Sequence, residues 1–166
     1  MIALRPLALL AALASLYPSS AAHPVKAGRD YRSPDGKLIV TVIEVNKAHE
    51  SRLEIRSSAG KTLLTNNYSS SDMEHGQVIL NAAWTPDGEF FVFSMLNTGG
   101  HSPLARPTSF YGRQHSRLYS LDRAIGFITD NNFELQAPNW VITKRLDPTN
   151  RDESQQVRVA LSTLVK

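Results

Sequence analysis

The stretch Ala83-Trp84-Thr85-Pro86-Asp87-Gly88-Glu89-Phe90-Phe91-Val92-Phe93-Ser94 is a tight turn feeding an apolar strand, and the chain uses it more than once. Ser33-Pro34-Asp35-Gly36-Lys37-Leu38-Ile39-Val40 is the same turn and strand earlier in the chain. A weaker third copy starts at Pro138, where Asn139-Trp140 replaces Asp-Gly. Pro34, Pro86 and Pro138 are 52 residues apart. A fixed period of this length marks stacked or radially arranged units.

The turn has a physical cause. Proline presets φ for the second position of a type I turn, the short aspartate side chain bonds neighbouring backbone, and glycine takes the geometry that closes the reversal. Around these turns, Lys37–Val45 reads as a β-branched strand, Ser51–Arg56 alternates apolar with polar, and Lys61–Leu64 follows a Ser-Ser-Ala-Gly turn. The second unit runs Gln77–Leu80 into Trp84, then Phe90–Leu96, Ser116–Tyr119 and Ala124–Ile128. The third offers Phe133–Leu135, Trp140–Ile142 and Gln155–Val159. Leu53 and Ile55 shifted by twice the period fall on Val157 and Val159, which predicts that the strand register is kept. Trp84 and Trp140 read as core. Outside the first residues no segment has an amphipathic helical period, so the expectation is an all-β chain of antiparallel meander repeats, a compact sheet or sandwich or a partial propeller.

The amino terminus reads differently. Arg5 is the one charge before an apolar run from Leu7 to Leu16, and Ser20-Ala21-Ala22 supplies the small residues of a cleavage site. The expectation is a secretory signal peptide over residues 1–22, leaving a single β-repeat domain over 23–166; cleavage after Ala27 is the alternative. The apolar run is too short for a membrane span. There is no cysteine, hence no disulfide framework, thiolate metal site or lipid-bearing thiol. The formal charge of +3 falls by one without Arg5 and makes no case for nucleic acid.

Trp84-Thr85-Pro86-Asp87-Gly88 with Phe91-Val92-Phe93-Ser94 resembles the W-S-P-D-G-K-x-I-A-F-x-S core of TolB-type β-propeller repeats, in which that turn joins the first two strands of a blade. Ser33–Val40 is similar but has Arg32 in place of the tryptophan and Thr41 in place of the aromatic. The third copy keeps Pro138 and the apolar alternation. The resemblance implies blades and a binding surface and does not imply an enzymatic activity. Propellers have four to eight blades, and this chain has room for three. Three arrangements stay open: a homodimer completing a six-bladed ring, an open or sandwiched sheet, or a compact domain of degenerate repeats. The self-contained sheet is preferred, because ring flanks left unpaired would expose apolar edges.

Matching Leu53 to Leu118 gives a shift of 65 instead of 52, which predicts an insertion of about 13 residues within Asn97–His115. No acid occurs from Phe90 to Leu121. His101, Arg106 and Arg113 accompany Phe110 and Tyr111 there, a set suited to holding an anionic ligand or acidic protein segment by charge-assisted hydrogen bonds and ring stacking. The bland alternative is a hairpin covering a sheet edge. Asp72, Glu74 and His75 form a second cluster. Asp147, Asn150, Asp152 and Glu153 form a third that lacks the spacing and glycine of a calcium loop. His23, as a new amino terminus, is a weak copper candidate.

No G-x-S-x-G elbow, H-E-x-x-H or P-loop occurs. The sequence calls for no cofactor and no metal. It points to an exported binding or scaffold protein of the cell envelope, periplasmic or secreted, that docks an envelope protein or extracellular anionic ligand. The alternatives are a secreted hydrolase acting on carbohydrate or peptide and a structural domain without a small ligand.

Overall fold

In a computed structural model the residues described are 28–99, 104–150 and 152–165, together with the backbone of 20–21 and 23–24. Most of the predicted leader and the side chain of His23 lie outside them. The elements, in chain order, are β1 (Ser20–Ala21), β2 (His23–Pro24), β3 (Arg29–Arg32), β4 (Leu38–Glu44), β5 (Ser51–Ser57), β6 (Thr62–Asn67), β7 (Gln77–Trp84), β8 (Phe90–Asn97), β9 (Thr108–Gly112), β10 (Arg117–Ser120), α1 (Leu121–Ile125), β11 (Glu134–Gln136), β12 (Trp140–Leu146) and β13 (Ser154–Ala160). A 3-10 turn, Leu161–Thr163, follows β13. The protein is all-β, in three antiparallel sheets ordered β3-β4-β5-β6, β10-β9-β8-β7-β2 and β1-β11-β12-β13. No helix among the described residues is long and apolar enough to cross a membrane.

The two Pro-Asp-Gly turns are near copies. Ser33 Oγ receives the Leu38 N–H at 2.9 Å and donates to Asp35 at 2.7 Å; Thr85 Oγ1 receives Phe90 N–H at 3.1 Å and donates to Asp87 at 2.6 Å. Gly36 and Gly88 both have φ near +70° (69° and 70°), the left-handed region that glycine enters freely. Each aspartate also receives the N–H two residues on, from Lys37 and Glu89. The hydroxyl one place before the proline therefore closes the hairpin in both units.

The sheets stack in three layers with the second in the middle. Alternate residues of a strand point to opposite faces, and β8 uses both. Phe91, Phe93 and Met95 join Trp84 and Tyr111 in a core against Val40, Val42, Leu53 and Ile55 of the first sheet. Phe90 and Val92 join Ala83 and Phe110 in a core against Leu135, Val141, Ile128 and Leu161 on the third side. A strand apolar on both faces reads as a continuous run, as in Phe90–Leu96. A strand with one wet face alternates, as in Ser51–Arg56. The free face of the first sheet carries the pairs Arg56–Asp30 and Arg52–Glu54, at 3.2 and 3.1 Å. That of the third carries Arg158 stacked 4.3 Å from the Trp140 ring centroid.

The structure corrects several sequence expectations. Equivalent backbone bonds fix the correspondence of units: Ser58 N–H donates to Lys37 O, Arg113 N–H to Glu89 O and Leu161 N–H to Asn139 O. Ser58 therefore matches Arg113, and the second unit gains three residues rather than thirteen. Leu118 is not the partner of Leu53; it lies in β10, and the third strand of that unit is β9, Thr108–Gly112, inside the supposed insertion. By the same correspondence Val157 and Val159 match Glu54 and Arg56, one residue off the expected register. The slip has a reason. The first sheet packs on the middle layer by one face and the third sheet by the opposite face, and a one-residue shift exchanges the faces. Ala124–Ile128 is not a strand: Ser120 caps the one-turn α1 by accepting the Arg123 N–H. Trp140 is half-buried on the outer face, whereas Trp84 is core as expected. Arg29–Arg32 is a strand that the hydrophobic pattern did not announce.

Candidate functional site

Strand alternation divides the connections between the two ends of the stack. At one end the turns 33–37, 58–61, 85–89, 113–116 and 137–139 hold three to five residues each. At the other end the segments 45–50, 68–76, 98–107, 121–133 and 147–153 hold six to thirteen. Long segments on a rigid scaffold are where binding residues concentrate.

Glu50 organises the long-loop end. It is fully buried, and its carboxylate receives Asn46 Nδ2 at 2.7 Å, Ser70 N–H at 3.0 Å, Thr98 Oγ1 at 2.8 Å and Gly76 N–H at 2.6 Å. Three loops therefore meet at one carboxylate. Burial pushes the Glu50 pKa upward, but the four donors outweigh it and hold the group at about 2. Beside it Asp72 pairs with His75 Nδ1 at 2.5 Å, and the Asp72 hydrogen bond and charge raise the imidazole above its ordinary value. On the other flank, Asp122 receives Thr108 N–H at 2.7 Å and Ile128 N–H at 3.3 Å, with burial pushing its carboxyl up. Arg106 N–H donates to Ile128 O at 2.9 Å, which ties loop 98–107 to segment 121–133. Ser94 Oγ and Asn81 Nδ2, buried in the middle sheet, both donate to Asn131 O.

These anchored loops carry apolar side chains outward. Among the described residues the exposed large hydrophobics are Val45, Leu63, Met73, Leu104 and Phe127. All but Leu63 belong to the long-loop end, one each from segments 45–50, 68–76, 98–107 and 121–133. Leu104 is 66% exposed and Met73 56%.

The residues expected to act together in Asn97–His115 are not brought together. Arg106 precedes β9 at the long-loop end, while Arg113 follows it at the short-turn end, about 23 Å of strand away at the usual rise per residue. Arg113 pairs with Asp35 at 2.9 Å. Phe110 and Tyr111 are fully buried on opposite faces of the middle sheet, in different cores, and present no stacking face to solvent. His101 lies outside the described residues. In the last hairpin Asp147 Oδ1 receives the Thr149 N–H and hydroxyl and the Asn150 N–H, a self-satisfied turn. Glu50, Met73, Leu104 and Phe127 were missed from sequence. Met73 and Leu104 each stand out as a large aliphatic residue in a polar connection, a legible signal, whereas Phe127 is masked by its apolar neighbours Ile125 and Ile128 and Glu50 gave none.

Clefts also open on the surface of the described residues. One of about 280 Å³ runs between Asp130, Asn132 and Phe133 and the outer side of β12 at Ile142 and Lys144. Two lie at the short-turn end, about 340 Å³ between Pro86, Asp87, Ala137 and Pro138, and about 160 Å³ beside Phe90, His115 and Ser162. Comparison with protein-family models, curated proteins and solved structures gives no match.

Proposed function

We propose that this chain is an exported binding protein of the cell envelope, built of TolB-type repeats, that docks a partner protein through its long-loop end. The observation that carries the reading is the sidedness of the exposed apolar residues: Val45, Met73, Leu104 and Phe127 stand on four loops cross-tied by Glu50, Asp122 and Arg106. Apolar side chains held on ordered loops bury surface on contact without first losing much loop entropy. Arg106 is the cation this end keeps from the expected anion-binding set. The repeat reading draws support from the copied turns and from the face-to-face stacking of the meanders. Export rests on the leader-like residues 1–22.

The test is a photo-crosslinking amino acid placed at Met73, Leu104 or Phe127 and, as a control, at Ala59 in the short-turn end. In cells, crosslinks to one discrete partner from the first three positions and none from the fourth are expected. Equal yields from both ends, or yields confined to Ala59, reject the assignment.

A further inference from the structure

We infer that the open edge of β13 takes one extended strand from a partner protein, antiparallel, carrying an apolar–acidic–apolar triplet opposite Val157, Arg158 and Val159. In the first sheet the third strand, β5, is covered by β6, and in the middle sheet β9 is covered by β10. In the third sheet β13 holds the corresponding position, and no described strand lies beyond it. The position is edge-forming in its hydrogen bonding too. Leu161 N–H donates to Asn139 O and Asp147 N–H to Glu153 O, and by alternation Gln155, Val157 and Val159 turn their backbone groups toward β12. Gln156 and Arg158 therefore turn theirs to the open side, in the place from which Ile55 and Phe110 pair with Leu64 and Tyr119.

Side chains report the same vacancy in the layer. Tyr111, the counterpart of Val159 in the middle sheet, is fully buried with Leu118 opposite it; Val157 and Val159 face the core yet stay half-buried. Apolar residues facing them complete that layer. On the other face Arg158 lies opposite Ile142 and Gln156 opposite Lys144, so that face of the edge carries Arg158 and Lys144 at diagonal register positions, which favours an acid opposite Arg158. A second copy of this chain fits less well. The antiparallel register that sets Val157 against Val159 of the other copy also sets Arg158 against Arg158, and like charges directly opposite are destabilising. Strand addition to a sheet edge draws affinity from main-chain bonds and specificity from alternate side chains.

The experiment is residue-resolved amide exchange on the full chain with a capped pentapeptide, Thr-Val-Glu-Val-Thr, as probe. In dilute protein the Gln156 and Arg158 amides should exchange quickly while those of Ile55 and Phe110 exchange slowly. Millimolar peptide should slow Gln156 and Arg158 by tenfold or more. R158E should transfer the preference to Thr-Val-Lys-Val-Thr. The inference fails if the two amides are already slow in dilute protein, since the chain then covers its own edge. It fails equally if protein concentration alone slows them, which means self-pairing, or if the peptide leaves them fast or protects β6 or β10 instead. None of these outcomes depends on the long-loop end.

Discussion

The backbone N–H of Gly76 donates to the Glu50 carboxylate at 2.6 Å, and a Cβ on Gly76 would stand 2.4 Å from the Glu50 carboxyl carbon. Glycine is needed here for close approach, and its φ is not in the left-handed region. Gly76→Ala should drive the carboxylate from its donors and destabilise the protein by about 1–3 kcal/mol, as overpacked sites do. Faster amide exchange in all three loops, 45–50, 68–76 and 98–107, would accompany it. A loss confined to 68–76 would mean that Glu50 does not couple them.

The same carboxylate sets a pH signature. Its folded pKa of about 2 lies below the reference 4.5, so the unfolded state takes up the proton first and stability falls with pH. The contribution is complete above pH 4.5 and is lost as pH drops toward about 2. Glu50→Gln should be less stable than the parent at pH 7, and the gap should narrow through that window. A constant gap between pH 6 and pH 2.5, measured by urea denaturation, would show the carboxylate to be unperturbed.

How much of this could be read beforehand depended on the range of the interaction. Pro34-Asp35-Gly36 and Pro86-Asp87-Gly88 build their hairpins from bonds within five residues, so the turns and the all-β class were legible in the chain. The slip at Val157 and Val159 was not, because it follows from which face of the third sheet meets the middle layer, a relation between strands far apart in sequence. Glu50 was hidden for the same reason: its donors Asn46, Ser70, Gly76 and Thr98 come from three connections. Phe110 and Tyr111 looked like loop residues because Gly99 and Pro103 before them and Gly112 after them are turn formers. In the structure they are a short strand with both faces buried.

The two turn glycines are alike in backbone and unlike in surroundings. A Cβ on Gly36 meets nothing within 4 Å, whereas one on Gly88 lies 3.1 Å from Pro34 Cδ of the neighbouring unit. Gly36→Ala should cost about 1–2 kcal/mol, the strain of a left-handed residue. Gly88→Ala should cost more, because the first turn must also move away. Equal shifts in urea midpoint at unchanged slope would mean that the units do not press on each other there.

Tyr111 is fully buried, and its hydroxyl has no hydrogen-bond partner in the core between the first and middle sheets. An unpaired hydroxyl in such a place costs about 1–3 kcal/mol of desolvation. Tyr111→Phe should therefore be as stable as the parent or more stable. A clear loss would reveal a partner for the hydroxyl.

Arg106 and Arg113 offer the sharpest separation of roles. Arg113 joins the first and second turns through Asp35, whose carboxyl that hydrogen bond holds well below the usual range. Arg106 lies in the loop that presents Leu104. Arg113→Ala should leave crosslinking from a probe at Leu104 unchanged and make the protein slightly less stable at neutral pH, a loss that fades in acid as Asp35 becomes protonated in the folded and unfolded chain alike. Arg106→Ala should cut the crosslinking yield several-fold in protein that remains folded. If Arg113→Ala cuts the yield and Arg106→Ala does not, docking belongs to the short-turn end, and the clefts beside Asp87 and His115 become the place to look for the partner.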